Sequence, residues 1–377
     1  MGVFALAAVA PAAAHDLHVS SAFIGYQVGL AFFGAMLSAC FAGGLALRHG
    51  PVRATQFALW LIASGLALST AGAVATLVAG AFTMGLGYGI TNPAASQLLS
   101  RMPSSRSMNF IFSVKQTGVP IGGVLSGLMV PPLTLVFGWQ AALFICALML
   151  AVMGAAIGAY RGAWDTHCDR SASLFGSAAA SLALVWNHRP TRWLAGASFL
   201  YSGVQLCLTG FLVTYLVTEV GLTLVIAGTI LSITHAGGAF GRLAWGWLAD
   251  RLRSGGTALV LNGLAAICGA LATALIAPAW SWWAIALATF LFGSCAMGWN
   301  GVYIAAVARH APQGAVGLAT GGSLSVTYAG VIFMQPIFAA LHDRAGVSYG
   351  GIFALTTLIT IAGIVCVVLA RRAVRVA

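Results

Sequence analysis

Long apolar stretches, each ended by a short polar or Pro/Gly-rich patch, run along the whole chain. They fall approximately at 1–14, 21–47, 54–71, 74–99, 107–131, 139–160, 193–218, 222–247, 257–277, 281–307, 314–340 and 349–370, with punctuation at 48–53, 101–106, 250–256, 310–314 and 342–348. Nearly all reach the length at which an α-helix crosses a hydrocarbon core about 30 Å thick. They are continuously apolar rather than alternating over about ten residues, as the strands of an outer-membrane barrel would be. The pattern predicts an all-α polytopic membrane protein with 12 transmembrane helices. The first is shortened: its 14 residues reach only about 21 Å, and they lack the basic flank of a signal peptide.

Composition agrees. Of the 377 residues, 60% are hydrophobic and only 6% charged, against about 25% charged in an ordinary soluble domain. A soluble surface cannot be covered with so few charges. The net charge of +11 does not mark a nucleic-acid binder, because the basic residues are spread over short connectors instead of one surface. With an even number of spans, both termini share a side. Arg48, Arg53, Arg101, Arg106, Arg161, Arg170, Arg189, Arg192, Arg251, Arg253 and Arg309 lie in connectors on that side, together with Arg371, Arg372 and Arg375 of the tail. The opposite connectors carry Arg344 alone. By the positive-inside rule this places both termini in the cytoplasm.

The connector 161–192 is the longest, and divides the chain into an N-terminal six-helix bundle (1–160), a cytoplasmic central linker (161–192), and a C-terminal six-helix bundle with a short cytoplasmic tail (193–377). The halves repeat. A shift of 208 sets Phe82, Gly85, Asn92 and Arg101 on Phe290, Gly293, Asn300 and Arg309, and Gly122 on Gly330. A shift of 203 sets Gly43-Gly44-Leu45-Ala46-Leu47-Arg48 on Gly246-Trp247-Leu248-Ala249-Asp250-Arg251. Duplicated bundles are a common transporter plan, and the two halves are expected to be pseudo-symmetric.

At these residues the chain resembles the major facilitator superfamily. Gly246-x-Leu248-Ala249-Asp250-Arg251-x-Arg253 is similar to the family's signature between its eighth and ninth helices, and Gly43-x-Leu45-Ala46-Leu47-Arg48 to the related first-half copy, with Leu47 in place of the aspartate. Gly118-Val119-Pro120-Ile121-Gly122-Gly123 resembles the family's fifth-helix Gly/Pro motif. The resemblance implies two bundles around a central substrate cavity and rocker-switch alternating access. It makes Gly43, Arg48, Arg242, Gly246, Asp250 and Arg251 candidates for a cytoplasmic gate or latch. Pro120, Gly122 and Gly123 would loosen or tighten the fifth helix locally, which suits a moving helix and equally plain close packing. In physical terms, Gly43 and Gly246 let helices approach closely, and Asp250 among Arg242, Arg251 and Arg253 offers a charge cluster that holds in one state and breaks in the other. A solvated helix end obeying the positive-inside rule is the plainer alternative.

Lys115 is the chain's one lysine, about nine residues into the fifth span and so roughly 13 Å deep. An ionisable residue at that depth is a functional-site candidate. All six acids, Asp16, Asp165, Asp169, Glu219, Asp250 and Asp343, fall at span ends or in connectors, which makes a transported anion the simplest partner for Lys115. Snorkelling to the interface is the alternative. His235 offers anion binding, proton coupling or a neutral structural hydrogen bond. Tyr201 and Gln205 share a helix face. With Gln116, Asn92, Asn300, Ser323, Ser325, Thr327 and Tyr328 they supply a candidate polar lining, or helix–helix hydrogen bonds.

No metal, nucleotide or catalytic motif occurs and the seven cysteines are scattered singly, so no enzyme activity, cofactor or metal is expected. The expected function is secondary transport of a small organic anion, a mono- or dicarboxylate, across a bacterial inner membrane. A coupling proton or an exchanged anion, and membrane lipid, are the further partners, with the protein a monomer. A proton-coupled exporter of neutral or amphipathic compounds is the alternative, and a channel or membrane receptor the third.

Overall fold

A computed structural model describes residues 2, 5, 13, 16–18, 22–99, 108–166, 168–171 and 174–376. Helices are the only regular structure among them: α1 (Ala22–His49), α2 (Pro51–Ser69), α3 (Val74–Leu99), α4 (Met108–Ile157), α5 (Arg161–Trp164), α6 (Leu174–Asn187), α7 (Arg189–Thr218), α8 (Leu224–Arg251), α9 (Gly255–Ala274), α10 (Trp282–Ala296), α11 (Trp299–His310), α12 (Val316–Asp343) and α13 (Tyr349–Val376). The second to fourth predicted spans are α1–α3, and the fifth and sixth together form α4. The seventh to ninth are α7–α9, the tenth is α10 with α11, and the last two are α12 and α13. The predicted first span, Arg101 and Arg106 lie largely outside the described residues.

Two glycines make the sharpest breaks. Gly138, at φ 83°, separates the fifth span from the sixth inside α4. Gly50, at φ 91°, turns α1 into α2, and its missing side chain leaves room for the Asp165 carboxylate. That carboxylate accepts from the amides of Val52 (2.9 Å) and Arg53 (3.0 Å) at the start of α2. Glu219 does the same for α13, accepting from Tyr349 N (2.6 Å) and Gly350 N (3.3 Å), and Asp250 for α4. Three of the six acids thus sit where the unsatisfied amides and positive dipole end of another helix stabilise them.

Contacts sort the chain into two compact units. The first comprises Met1–Pro103, Ile121–Asn187 and Ala311–Tyr328; the second comprises Ser104–Pro120, His188–His310 and Ala329–Ala377. In the first, α3 packs against α1 and α2; in the second, α8 packs on α10, and α13 on α7 and α9. The sequence repeat reappears as repeated packing. In the first unit Gly34 abuts the Phe82 carbonyl and Gly85 the Ala31 carbonyl. In the second, Gly237 abuts the Phe290 carbonyl and Gly293 the Thr234 carbonyl. These are the same pairs moved by 203 residues on one helix and 208 on the other.

Such contact leaves no space for a methyl group. Gly293→Ala is expected to destabilise the protein by about 1–3 kcal/mol through overpacking. Gly228→Ala on α8, where nothing lies within 4 Å of the added carbon, should be neutral or stabilising by up to about 1 kcal/mol. Thermal unfolding of both variants in one detergent checks this pair.

Large apolar side chains remain exposed along the helices, among them Leu135 (88%), Trp283 (66%) and Leu358 (62%), as lipid-facing surfaces require. The central connector contains the apolar helix α6, which packs on α1, with the Ser181 hydroxyl donating to the Cys40 carbonyl (3.0 Å).

Candidate functional site

In the second unit, the start of α4 is bound to the end of α8. One Asp250 oxygen accepts from the Asn109 amide (3.1 Å) and Asn109 Nδ2 (2.5 Å), and the other from the Phe110 amide (2.7 Å). Asn109 Oδ1 in turn accepts from Arg309 Nη2 at the end of α11 (2.6 Å). Asp250 is thus linked to a guanidinium through Asn109. Arg251 instead lies over the Trp247 ring, 5.2 Å from its centroid. Gly246 supports the junction: Ser113 of α4 lies directly on it, and on Gly301 of α11, with no room for a side chain at either glycine.

One turn deeper, the tenth span is broken between α10 and α11. The Met297 carbonyl, freed by the break, accepts from Arg242 Nε (3.2 Å) and Asn300 Nδ2 (3.2 Å). Arg242 is buried, only 4% exposed, and also donates through Nη1 to the Gln116 carbonyl on α4. Asn300 Nδ2 donates as well to Gln205 Oε1 of α7 (3.1 Å). The break therefore gathers Gln116, Gln205, Arg242 and Asn300 into one polar node. Broken helices with exposed carbonyls are a recurring device for binding sites at membrane depth. Lys115, next to Gln116 on α4, is half-buried, as is His235 on α8. Tyr201 points away from the node: its hydroxyl donates to the Leu259 carbonyl of α9 (3.3 Å) and its ring meets Trp299 edge-on.

The first unit holds the remaining candidates. The start of α12 is fastened to α3 by Gln97, whose Oε1 accepts from Gly317 N (2.7 Å) and whose Nε2 donates to the Gly314 carbonyl (3.2 Å). Gly43 lies against the backbone at Gly317 and Leu318. Gln97 therefore does for α12 what Asp250 does for α4, where the signature has Leu47 instead of an acid. Arg48 is exposed in the last turn of α1. Ser325 is held between α12 and α1, donating to the Met36 carbonyl (2.9 Å), with Cys40 Sγ 3.1 Å away. Thr327 donates to the Ser323 carbonyl of its own helix (3.1 Å). Asn92 is buried on α3. Tyr328 packs in tilted contact with Phe32 and Tyr88, with ring centroids 5.8 and 6.1 Å away.

The family model described as Major Facilitator Superfamily matches residues 1–322. The chain belongs to this superfamily. Its members are membrane transporters, not enzymes, and the chain is a multi-pass membrane protein. The E. coli fucose:proton symporter FucP, at 20% identity, superposes with a TM-score of 0.73 over 99% of this chain and 97% of that one. The proton:xylose symporter XylE gives 0.73 at 13% identity over 98% and 92%. These likenesses concern the fold.

Shorter sequence matches reach proteins named for their cargo. The Gentisate transporter of Corynebacterium glutamicum is 34% identical over 151 residues, 39% of this chain and 34% of that protein. The 4-hydroxybenzoate transporter PcaK of Pseudomonas aeruginosa is 30% identical over 152 residues, 40% and 34% of the two. The Probable anion transporter 6, chloroplastic, of Arabidopsis thaliana is 26% identical over 141 residues, 36% and 26%. By these matches the chain spans about a quarter to a third of the length of the curated relatives.

Three residues with central contacts, Asn109, Arg309 and Gln97, are not marked as site residues by the sequence alone. Arg309 was visible in the repeat with Arg101, yet the positive-inside rule already explained its charge. Asn109 and Gln97 carry no sequence signal beyond being polar at a span end.

Proposed function

We propose that this superfamily member is a secondary transporter that carries a small organic anion, a mono- or dicarboxylate, across a bacterial inner membrane by alternating access. The observation that carries the reading is Lys115, a half-buried cation seven residues into α4, beside the node around the broken tenth span. A cation at that depth calls for a hydrated or charge-compensating environment, and an anionic cargo is the partner a transporter has to offer. The names of the three relatives, for gentisate, 4-hydroxybenzoate and anions, support the same class.

The two sequence halves, 1–160 and 193–377, would be the two moving bundles, joined by 161–192. The position of the Gly/Pro motif supports a flexing role for Pro120, Gly122 and Gly123. The chain leaves the second unit after Pro120 within α4, and leaves the first unit after Tyr328 within α12, two residues before Gly330. Gly122 and Gly330 are the repeat-related pair.

Counterflow in proteoliposomes tests the transport claim. Vesicles loaded with unlabelled 4-hydroxybenzoate or gentisate are expected to accumulate the labelled acid transiently and saturably, while fucose and xylose give no such overshoot. Linear, unsaturable flux would indicate a channel instead, and overshoot with sugars alone would remove the anion assignment.

Topology is tested by cysteine labelling in a background lacking the native cysteines. A membrane-impermeant maleimide added outside cells should label a cysteine at 344 and leave one at 372 unlabelled. The reverse result would invert the orientation. These positions are preferable to 165 and 219, whose carboxylates cap α2 and α13.

A further inference from the structure

A cavity of about 390 Å³ opens in the second unit at the arginine-rich ends of α7, α9, α11 and α13. None of the candidate substrate residues lines it. One wall is apolar, with Leu194, Val367 and Ala370; the other carries Arg253, Arg309 and Arg371. Arg309 comes from α11 and Arg371 from α13, both resting against the first turn of α9, and Arg253 comes from the turn that leads into it. No carboxylate lines the cavity; Arg309 is linked to Asp250 only through Asn109, whose Oδ1 accepts from Arg309 Nη2 (2.6 Å). The nearby Asp250 is engaged by the start of α4.

Two local features hold the cations there. Gly255 and Gly256 open α9, and a side-chain carbon on either would lie 2.7 Å from Arg309 Nη2 or 2.8 Å from Arg371 Cδ respectively. The glycines therefore let both side chains rest on a helix start that is itself electropositive. The Ser254 hydroxyl caps only the Thr257 amide of that turn (3.2 Å). Arg253 meanwhile adopts φ 51°, the left-handed conformation that glycine occupies readily and other residues rarely do. Three arginines beside an electropositive helix start, with no carboxylate in the cavity wall, form a site whose chemistry suits an anion.

We propose that this cavity binds a phosphate-bearing anion, the arginines and the start of α9 holding the phosphate while the apolar wall covers the hydrocarbon attached to it. An anionic phospholipid and a soluble organic phosphate share that chemistry. The site is separate from the cargo node and does not depend on which solute is carried.

The test uses the purified full-length protein in dodecyl maltoside, with thermal unfolding followed against dioleoylphosphatidylglycerol, dioleoylphosphatidylcholine and glycerol 3-phosphate. A phosphate-bearing ligand is expected to raise Tm by about 3 °C or more at saturation. Arg253→Gly, which suits the backbone conformation, and Arg371→Gln should each weaken that ligand at least about fivefold without lowering the Tm of the lipid-free protein by more than a few degrees. Native mass spectrometry should count one retained phosphatidylglycerol on wild type and none on the double variant if lipid is the ligand. A shift by glycerol 3-phosphate that the same variants lose assigns the site to a soluble phosphate. Equal shifts by the phosphatidylcholine and phosphatidylglycerol lipids, no shift by either phosphate source, or undiminished affinity in both variants would overturn the proposal.

Discussion

Asp250→Asn is expected to slow transport at least about tenfold while changing the cargo's dissociation constant less than about threefold. The carboxylate accepts three hydrogen bonds from the first turn of α4, with both oxygens engaged. Asparagine keeps one oxygen and turns an NH2 group toward an amide donor, so at least one charge-assisted bond is lost. Each such bond contributes about 1.5–3 kcal/mol, and the loss removes the negative charge from the positive end of α4 as well. The conformation in which α4 is docked on α8 and α11 is therefore depopulated at least about tenfold. Initial uptake rates in proteoliposomes, set beside calorimetric binding, separate the two effects. Normal uptake by the variant, or lost cargo binding with unchanged conformational populations, would remove the latch assignment.

The helices were legible because a span leaves little choice: an apolar run of about 20 residues has to be a helix in lipid. The repeat was legible for a related reason. Gly85 and Gly293 are fixed by backbone carbonyls pressed against them, so both copies keep the residue. The break in the tenth span was not legible. Met297 and Gly298 lie in an apolar run without proline, and the freed carbonyl is satisfied by Arg242, which comes from another helix. Gln97 was hidden in the same way. The loss of the aspartate at Leu47 could be read from the motif, but its replacement is an amide on α3 that only the fold brings to the start of α12. Helix α6 is hidden in the sequence because its 14 mostly apolar residues are too few to span and sit inside a connector defined by its charged ends.

Lys115→Ala carries the other large expected effect. If the ammonium at this depth holds the cargo's carboxylate, removing it takes away the partner of a charge that has left water. Truncating one member of such a pair costs about 2–5 kcal/mol, a weakening of at least about thirtyfold. Lys115→Arg should recover part of the affinity and not all of it, because the planar guanidinium does not reproduce a compact ammonium. The measurement that decides is equilibrium binding of 4-hydroxybenzoate, or of whichever carboxylate gives the fastest counterflow, to wild type and Lys115→Ala in the same nanodiscs. The organic-anion account expects affinity to fall at least about thirtyfold in a variant that unfolds within a few degrees of wild type. Equal affinity in that folded variant would contradict it, leaving Lys115 a structural residue and the carried solute something other than an anion bound there.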